Sequence, residues 1–547
     1  GLDHVQVSAN WMAASGDPKQ DSALRNGVEA LSKMSVDLEV SIPVGKDSLS
    51  MKTKWNEEKN EYEVTSPLSG IISAMAPVED ISHSVTPELN VDEDSVILVI
   101  KINQKNRLAG SIFSEVTESK YTETPDIDDV KLFKSLFNHI QKLIKDSKIL
   151  AMHDISDGGL VTALAEMCFT KKVGMSIQVD DIDNLNKTLF SEEIGFVIQV
   201  KSDDLDMVKS SLNTINIYVE EVATIVEESF SILCKEKEVF SESITVLERY
   251  WRETSHAIQS IRDNKKIADS ELNLLDNKNY HGLNSNVSFD ENQIKNLLIK
   301  GTKPKVAILR EQGVNGQNEM AAAFTIAGFE AFDVHMQDLL DGNIDLKQFQ
   351  GMAVCGGFSY GDVLGAGGGW SKTILYNNNV KDQFQQFFEN EATFTLGVCN
   401  GCQMLSNLKD IIPEADYWPS FERNFSDQFE ARLVQVKVEN TNSVLLRNMN
   451  GWTVPVASAH GEGRAKFQIN NLEELKKQNQ IAMRFVDSSA EHTEVYPLNP
   501  NGSPEGITGI TAASGRVTIM MPHPERVFRK YQMSWHQTDW PEYSPWM

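Results

Sequence analysis

The sequence has few cysteines, no long apolar run and no excess of basic residues, and each shortage excludes a class of protein. Five cysteines are spread over 547 residues, too few for a disulfide framework, which indicates a reducing compartment such as the cytoplasm. No apolar run approaches the roughly 18–20 residues that a membrane helix requires. Acidic residues outnumber basic ones by 78 to 51, so the chain is a poor candidate for binding nucleic-acid phosphates.

The remaining composition is that of a globular protein, and its pattern changes along the chain. The length predicts three or four domains, and 41% hydrophobic with 24% charged residues is typical of folded cores. Strands and helices alternate before residue 250, which predicts an α/β or α+β fold. Asparagine, lysine and aspartate are frequent in 251–302, which indicates a linker. From Lys303, regular β-α-β spacing predicts a doubly wound parallel sheet.

The strongest chemical motif surrounds Cys399. A predicted buried strand ends at this cysteine, and a predicted helix begins at once. Gly397 and Gly401 permit a tight turn, which is typical of a nucleophile elbow. The start of a helix favours thiolate, and the N–H of Asn400 would face a developing oxyanion.

Two other interpretations of Cys399 remain open at this point. With Cys402 it forms a Cys-x-x-Cys pair, which could be a redox pair or half of a zinc site, although no further ligands follow at short spacing. Alternatively, Cys399 is a small buried hydrophobic residue, a common fate of a lone cysteine.

A histidine and a glutamate complete a possible triad. His523 and Glu525 directly follow another predicted strand, so they belong at the sheet edge where active sites of α/β proteins assemble. Cysteine, histidine and carboxylate would then serve as nucleophile, base and orienting group. A histidine that merely stabilises a loop is the alternative. His460 and Glu462 repeat the same spacing, but they do not directly follow a buried apolar strand and rank second.

Two further motifs suggest ligand contacts, and a third is an acidic pair. The glycine pair after Cys355 makes Gly357 a candidate second oxyanion donor, although an ordinary glycine turn would look the same. The sequence His-Asp154-Ile-Ser156-Asp157-Gly-Gly precedes a predicted helix, and such a helix start suits Mg²⁺ and nucleotide phosphate. A helix cap at Asp157 is the alternative. The pair Glu192–Glu193 is compatible with an exposed acidic surface.

Taken together, these motifs resemble one family: the large, single-chain phosphoribosylformylglycinamidine synthases, which act fourth in de novo purine synthesis. The resemblance extends over essentially the whole chain. The motifs stand in the family's order: Ser-Ala-Asn-Trp-Met, Ile-Pro-Val-Gly-Lys-Asp-Ser, Thr-Ser-Pro-Leu-Ser, His-Asp-x-Ser-Asp-Gly-Gly, Gly-Gly-Phe-Ser-Tyr-Gly-Asp-Val-Leu-Gly-Ala-Gly, Gly-Val-Cys-Asn-Gly-Cys-Gln and Pro-His-Pro-Glu-Arg-Val-Phe-Arg.

The resemblance implies a domain layout. Residues 1–90 would be part of the second N-domain similar to aminoimidazole ribonucleotide synthetase, and 91–250 its C-domain. Residues 251–302 would link them to a class I glutamine amidotransferase domain at 303–547. The family's N-terminal half would be missing. The first residue is a glycine and the final Ser-Pro-Trp-Met has no helix stop, so we expect a chain cut from a longer one at both ends.

The resemblance also implies the chemistry. Cys399 would release ammonia from glutamine with the help of His523 and Glu525, while Gly357 and Asn400 hold the oxyanion. ATP would activate formylglycinamide ribonucleotide in the synthetase half, and the ammonia would reach it through a channel and give the amidine.

For the nucleotide site, the family implies that Asp154 contacts Mg²⁺ and Ser156 contacts a second, largely structural ATP or ADP. The remaining ligands would come from the N-terminal half. One departure concerns the family's Gly-Ala-Gly-Glu-Gly-Trp, because Gly368 stands here in place of the glutamate. A cysteine hydrolase with the same sheet, such as a peptidase, and a non-catalytic scaffold are the competing hypotheses.

Overall fold

The computed structural model describes residues 1–58, 60–277, 280–287, 289 and 302–547. These residues form two compact units, Gly1–Trp251 and Arg252–Met547. Among them, no helix combines the length and the apolar character needed to cross a bilayer. The predicted linker, 251–302, is helical in its first part, where the helix Ile244–Arg262 is followed by Lys265–Asn273. Most of its later part lies outside the described residues, and the domain limits stay predictions.

The first unit begins with a small mixed sheet. Its central strand Gln6–Met12 pairs in parallel with Ser41–Ser48 and antiparallel with Ser69–Met75. The strands Lys52–Glu57 and Asn60–Thr65 form a separate antiparallel pair. The helix Pro18–Leu38 begins where Asp17 accepts hydrogen bonds from the first free N–H groups.

A larger sheet dominates the rest of the first unit. Its seven described strands lie in the order Lys237–Ser243, Ser229–Cys234, Gly174–Val179, Tyr218–Val226, Ser95–Lys101, Gly195–Lys201 and Ala151–Asp154. Helices pack on both faces, so the strand Ser95–Lys101 is apolar along most of its length. The described helices of this part are Ile112–Val116, Val130–Lys145, Gly159–Phe169, Leu185–Phe190 and Leu205–Asn213.

The second unit contains the predicted doubly wound sheet. In the described residues its strands lie in the order Glu330–His335, Lys305–Arg310, Gly351–Val354, Phe394–Val398, Val517–Met520, Ile507–Thr511, Ile481–Phe485, Glu430–Val438 and Thr453–His460. The first five are parallel and the others antiparallel. Besides Lys265–Asn273, its described helices are Gln317–Ile326, Met336–Leu340, Gly368–Leu375, Asn378–Glu389, Asn400–Asn407 and Asn471–Lys477.

The order of the parallel strands determines where the candidate site lies. The strands ending at Val354, Val398 and Met520 are consecutive neighbours in the sheet. Their carboxyl ends therefore open at the same edge, where loops of doubly wound sheets bind ligands. The loop after Val354, the residue Cys399 and the turn at His523 all leave the sheet at this edge. The predicted fold class is confirmed.

Candidate active site

Cys399 lies in a strained turn between the strand Phe394–Val398 and the helix Asn400–Asn407. Its backbone has φ 51° and ψ −109°, an unfavourable conformation for a residue with a side chain. A Cβ on Gly401 would lie 2.1 Å from the carbonyl oxygen of Val354, and one on Gly397 would lie 2.5 Å from Leu405 Cδ1. The two glycines therefore let the helix pack against the sheet, and this packing holds the turn.

His523 and Glu525 form a buried hydrogen-bonded pair. His523 Nδ1 and Glu525 Oε1 are 2.7 Å apart, and both side chains are only 1% exposed. The N–H of His523 donates to the carbonyl of Ala457 at 2.7 Å, and Pro524 begins the short 3₁₀ turn that places Glu525. With Nδ1 turned to the carboxylate, His523 Nε2 is buried and has no hydrogen-bond partner among the described residues.

The imidazole lies beside the cysteine. A Cβ on Gly356 would be 2.6 Å from His523 Cε1 and 3.3 Å from Cys399 Cβ, so this glycine lies against both side chains. Cys399 Sγ is 3.6 Å from the carbonyl oxygen of Ala459. The structure therefore brings together Cys399, His523 and Glu525, the three residues that the sequence predicted as a triad.

The charges around His523 favour its protonated form. Burial lowers the pKa of His523, but the charges of Glu525 and Cys399 outweigh it and raise that pKa to about 10. An imidazolium is therefore stable next to Cys399 at neutral pH.

His460, the second-ranked base, has a different environment. It is 2% exposed, and its ring nitrogens have only long contacts, 3.5 Å to Ser458 Oγ and 3.4 Å to Asn501 Nδ2. Burial, followed by the charge of His523, lowers its pKa to about 3. No carboxylate among the described residues bonds to its ring, because Glu462 bonds instead to the N–H of Ala366 at 3.0 Å.

The buried neutral His460 makes the protein sensitive to acid. The folded pKa is lower than the unfolded value of about 6.5, so the stability contributed by neutral His460 is present above pH 6.5 and is lost as the pH falls toward 3. Between pH 7 and pH 5 we expect a loss of about 2 kcal/mol in the free energy of unfolding from this residue. Urea unfolding of the wild type and His460→Gln at both pH values should show it.

The matched control is His492→Gln. His492 is 42% exposed and bonds to Glu439 at 2.7 Å, so its replacement should leave the loss of stability between pH 7 and pH 5 nearly unchanged. If His460→Gln loses as much stability as the wild type over this range, the neutral buried histidine is not the cause.

The two predicted oxyanion donors have free main-chain N–H groups. Within the described residues, neither Gly357 nor Asn400 donates a main-chain hydrogen bond through its N–H. Gly357 has φ 149°, and a Cβ there would lie 2.5 Å from Val314 Cα, so this position requires glycine. Asn400 begins the helix after Cys399. Their role as donors stays a prediction.

Two polar residues beside the cysteine, Asp362 and Gln403, were given no role by the sequence motifs, and Glu462 was named only in the second-ranked pair. Asn400 Nδ2 donates to Asp362 Oδ1 at 3.1 Å and to Gln403 Oε1 at 3.2 Å. Gln403 Nε2 donates to the carbonyl oxygen of Glu462. Burial and the nearby Glu462 raise the pKa of Asp362. Asp362 and Gln403 each lie within one of the motifs given above, which could have drawn attention to them. Their contacts could not be predicted, because they join segments that are distant in the sequence.

Two adjacent glycines near this site should respond oppositely to alanine. Gly367 has φ 69°, and a Cβ there would lie 2.5 Å from the N of Met404, whereas a Cβ on Gly368 meets only Leu364 Cβ at 3.7 Å. Gly367→Ala should therefore cost about 1–2 kcal/mol from its backbone conformation alone. Gly368→Ala should stabilise by about 0.4–1 kcal/mol. Denaturant unfolding of both variants tests this, and similar effects would contradict it.

In the first unit, the structure places Asp154 and Ser156 at an exposed sheet edge. The Asp154 side chain is 66% exposed. Its neighbour His153 bonds to Glu166 Oε2 at 2.9 Å. The described residues contain no group of three or more histidine, cysteine or acidic side chains arranged to hold a metal ion. Asp154 and Ser156 offer oxygen donors of the kind that Mg²⁺ accepts, and their roles stay predictions.

Two alternatives from the sequence are wrong. The helix Gly159–Phe169 is capped by Gly158 without a side-chain hydrogen bond, so Asp157 is not its cap. The pair Glu192–Glu193 is not a surface pair. Glu193 is fully buried against Arg107 at 2.6 Å, and Glu192 accepts the N–H of Gly158 at 2.9 Å.

Three family models match successive parts of the chain. Residues 1–77 match the FGAR-AT PurM_N-like domain, where FGAR is formylglycinamide ribonucleotide, and 92–235 match the C-terminal domain of AIR synthase related proteins. Residues 303–547 match the CobB/CobQ-like glutamine amidotransferase domain. Together the three matches leave 78–91 and 236–302 uncovered. The match at 303–547 agrees with the glutamine amidotransferase predicted from the motifs.

Similar solved structures cover parts of the chain. PurLQS from Thermotoga maritima is 25% identical over 42% of this chain and 92% of its own, with a TM-score of 0.33. T. maritima PurL complexed with FGAR is 11% identical over 45% of this chain, with a TM-score of 0.34. E. coli HypE is 15% identical over 44% of this chain and 72% of its own, with a TM-score of 0.32.

This chain covers 40% of the length of that PurL, well under half. The family of this chain is therefore inferred from the three family models and from their order along one chain. On these grounds the chain belongs to the FGAR amidotransferase (PurL) family.

Proposed function

We propose that this chain releases ammonia from glutamine at Cys399 and contributes part of the site that uses ATP to convert FGAR into its amidine. The observation that carries the proposal is the buried His523–Glu525 pair beside a cysteine in a strained turn. In a member of this family, a nucleophile so placed supports glutamine as the ammonia donor.

In the first step, the Cys399 thiolate attacks the side-chain amide carbon of glutamine and forms a carbon–sulfur bond. The N–H groups of Gly357 and Asn400 stabilise the negative oxygen. The His523 imidazolium gives its proton to the amide nitrogen, the carbon–nitrogen bond breaks, and ammonia leaves.

Water then completes the glutaminase reaction. Neutral His523 takes a proton from water, and the hydroxide attacks the thioester. The carbon–sulfur bond breaks, glutamate is released, and the thiolate beside the imidazolium is restored. Glu525 keeps the imidazole ring oriented and stabilises its charge throughout.

The ammonia is consumed in the synthetase half. ATP transfers a phosphoryl group to the carbonyl oxygen of the glycinamide group of FGAR. Ammonia attacks the carbon of that carbonyl, and phosphate leaves as the amidine forms. Asp154 and Ser156 are the residues of this chain that would hold Mg²⁺ and the phosphate of a second, largely structural nucleotide, where bound Mg²⁺ would neutralise phosphate charge. The remaining ligands of this site belong to the N-terminal half of the enzyme.

The carboxylates of Asp362 and Glu462 suit the α-ammonium group of glutamine. Both flank the first turn of the helix after Cys399, through Asn400 and Gln403. Glu462→Gln should raise the KM for glutamine about 10- to 100-fold, because it weakens a charge-assisted hydrogen bond. The kcat should change much less. Steady-state kinetics, with the exposed Glu473→Gln as control, would measure this, and a KM unchanged by Glu462→Gln would contradict it.

The experiment that tests the function measures glutamate and ammonia released from glutamine. The chain is assayed alone and then with the N-terminal half, FGAR and ATP. We expect weak release alone and strong stimulation in the reconstituted enzyme. Cleavage of peptides, with no hydrolysis of glutamine, would support the hydrolase, and no reaction under any condition would support the scaffold.

A further inference from the structure

A cavity of about 180 Å³ lies in the first unit, at one end of the seven-stranded sheet. None of the candidate catalytic or nucleotide-binding residues lines this cavity. An apolar cavity of about 150 Å³ is enough to hold benzene, so this space suits a small metabolite. Its walls combine apolar and charged residues, including Val99, Lys101, Leu160, Ile177, Tyr218 and Glu220.

Lys101 is the unusual member of this lining. It is only 4% exposed, and its ammonium donates to the side-chain oxygen of Asn106 at 3.1 Å. Among the described residues, no carboxylate lies within ion-pair distance of it. The nearby cations differ, since Lys105 bonds to Asp128 at 3.0 Å and Arg107 to Glu193 at 2.6 Å.

A buried ammonium without a counter-ion is costly, because burial favours the uncharged form. Burial accordingly lowers the pKa of Lys101, and it outweighs the opposing charges of Glu193 and Glu220, neither of which forms an ion pair with the ammonium. A ligand that brings a negative group to this ammonium would remove the cost.

The cavity also holds a negative group that does not pair with Lys101. Tyr218 lies opposite Lys101 in the sheet, and Glu220 lies opposite Val99, so the three polar side chains share one face. The hydroxyl of Tyr218 donates to Glu220 Oε2. The carboxylate of Glu220 is therefore turned to the tyrosine and not to the ammonium.

We propose that this cavity binds a small zwitterion of the α-amino acid class. Its carboxylate pairs with Lys101, its ammonium lies toward Glu220, and its carbon atoms contact Val99 and Ile177. The exposed Asp180 and Asp181 also line the cavity. Their charge favours a ligand with a cationic group and disfavours phosphate or a dicarboxylate.

The test measures thermal unfolding and calorimetric binding with glycine, alanine, serine, glutamate and glutamine as probes. It uses the Cys399→Ala chain, so that glutamine is not consumed. Acetate, methylamine and inorganic phosphate are the control probes, because each carries charge of one sign only. We expect at least one amino acid to raise the melting temperature in a saturable way, while acetate, methylamine and phosphate do not.

Two variants connect this binding to the cavity. Lys101→Met should weaken amino acid binding about 30-fold or more, because it leaves the ligand carboxylate buried without a partner. Glu220→Gln should weaken it as well, through the ammonium. Lys105→Met is the matched control, since Lys105 is half exposed and already paired with Asp128, and it should bind as the parent does.

Stability gives an independent readout. Without ligand, Lys101→Met should melt at the same or a higher temperature than its parent, because it removes an unpaired buried charge. Weak binding in this variant would then not be due to misfolding. The proposal is overturned if no amino acid binds at millimolar concentration, if phosphate binds in their place, or if binding survives both Lys101→Met and Glu220→Gln.

Discussion

Replacing Cys399 with alanine is expected to lower glutamine hydrolysis by on the order of 10⁴-fold or more, with little loss of stability. The thiolate forms the bond to the substrate carbon, and no other nucleophile near His523 in the described part of the chain can take its place. The measurement is glutamate release by the reconstituted enzyme, together with covalent labelling by an electrophilic glutamine analogue. Both should be lost, while synthesis supplied with ammonia should continue.

The matched control is the cysteine three residues later. Cys402 is fully buried, and burial raises its pKa well above the usual value, so its thiol is inert. Cys402→Ala should keep its glutaminase activity within about tenfold of the wild type and should still be labelled at Cys399. Equal losses in both variants would favour the Cys-x-x-Cys redox interpretation over a single nucleophile.

Replacing Glu525 with glutamine should lower glutamine turnover by about 10³- to 10⁴-fold. The amide no longer holds the required tautomer of His523, whose Nδ1 lies 2.7 Å from the carboxylate. The effect also has a pH signature. Because the charge of Glu525 raises the pKa of His523, its removal should shift the alkaline limb of the activity profile to lower pH.

The stability of the folded protein should also decrease when Glu525 is replaced. The raised pKa of His523 contributes stability that is fully present below the unfolded value of about 6.5 and is lost as the pH rises through about 10. Glu525→Gln should lose part of that contribution. The control is Glu505→Gln, which breaks the ion pair with Arg484 at 3.0 Å and should leave the pH profile unshifted. An unshifted profile in Glu525→Gln would contradict the assigned role.

Local patterns predicted much of the fold. Buried strands with β-α-β spacing gave the parallel part of the sheet, because strands covered on both faces are continuously apolar. The nucleophile turn was predictable from Gly397 and Gly401, whose missing side chains permit close packing. The helix at the beginning of the predicted linker was harder to predict. The helix Ile244–Arg262 is polar, and too few of its residues are buried to give a clear apolar face in the sequence.

The sequence predicted those residues of the candidate site that come directly after a strand. The rule that an active residue follows a buried strand ranked His523 above His460, but this reason was wrong, because His460 ends the mostly buried strand Thr453–His460. What separates the two histidines among the described residues is the carboxylate that bonds to the ring of His523. Contacts between distant segments were not predictable. Glu193 is buried because Arg107 neutralises it, and Glu462 is held by Ala366. Neither partner can be read from the neighbouring sequence.

The positive φ of Cys399 has a consequence for protein engineering. Glycine would adopt this backbone conformation at little cost in free energy, whereas for cysteine the same conformation costs on the order of 1–3 kcal/mol. A campaign that selects thermostable variants without assaying catalysis should therefore accumulate Cys399→Gly. The most stable sequence for this fold and the working sequence differ at the nucleophile, so the cysteine persists only where selection acts on ammonia production.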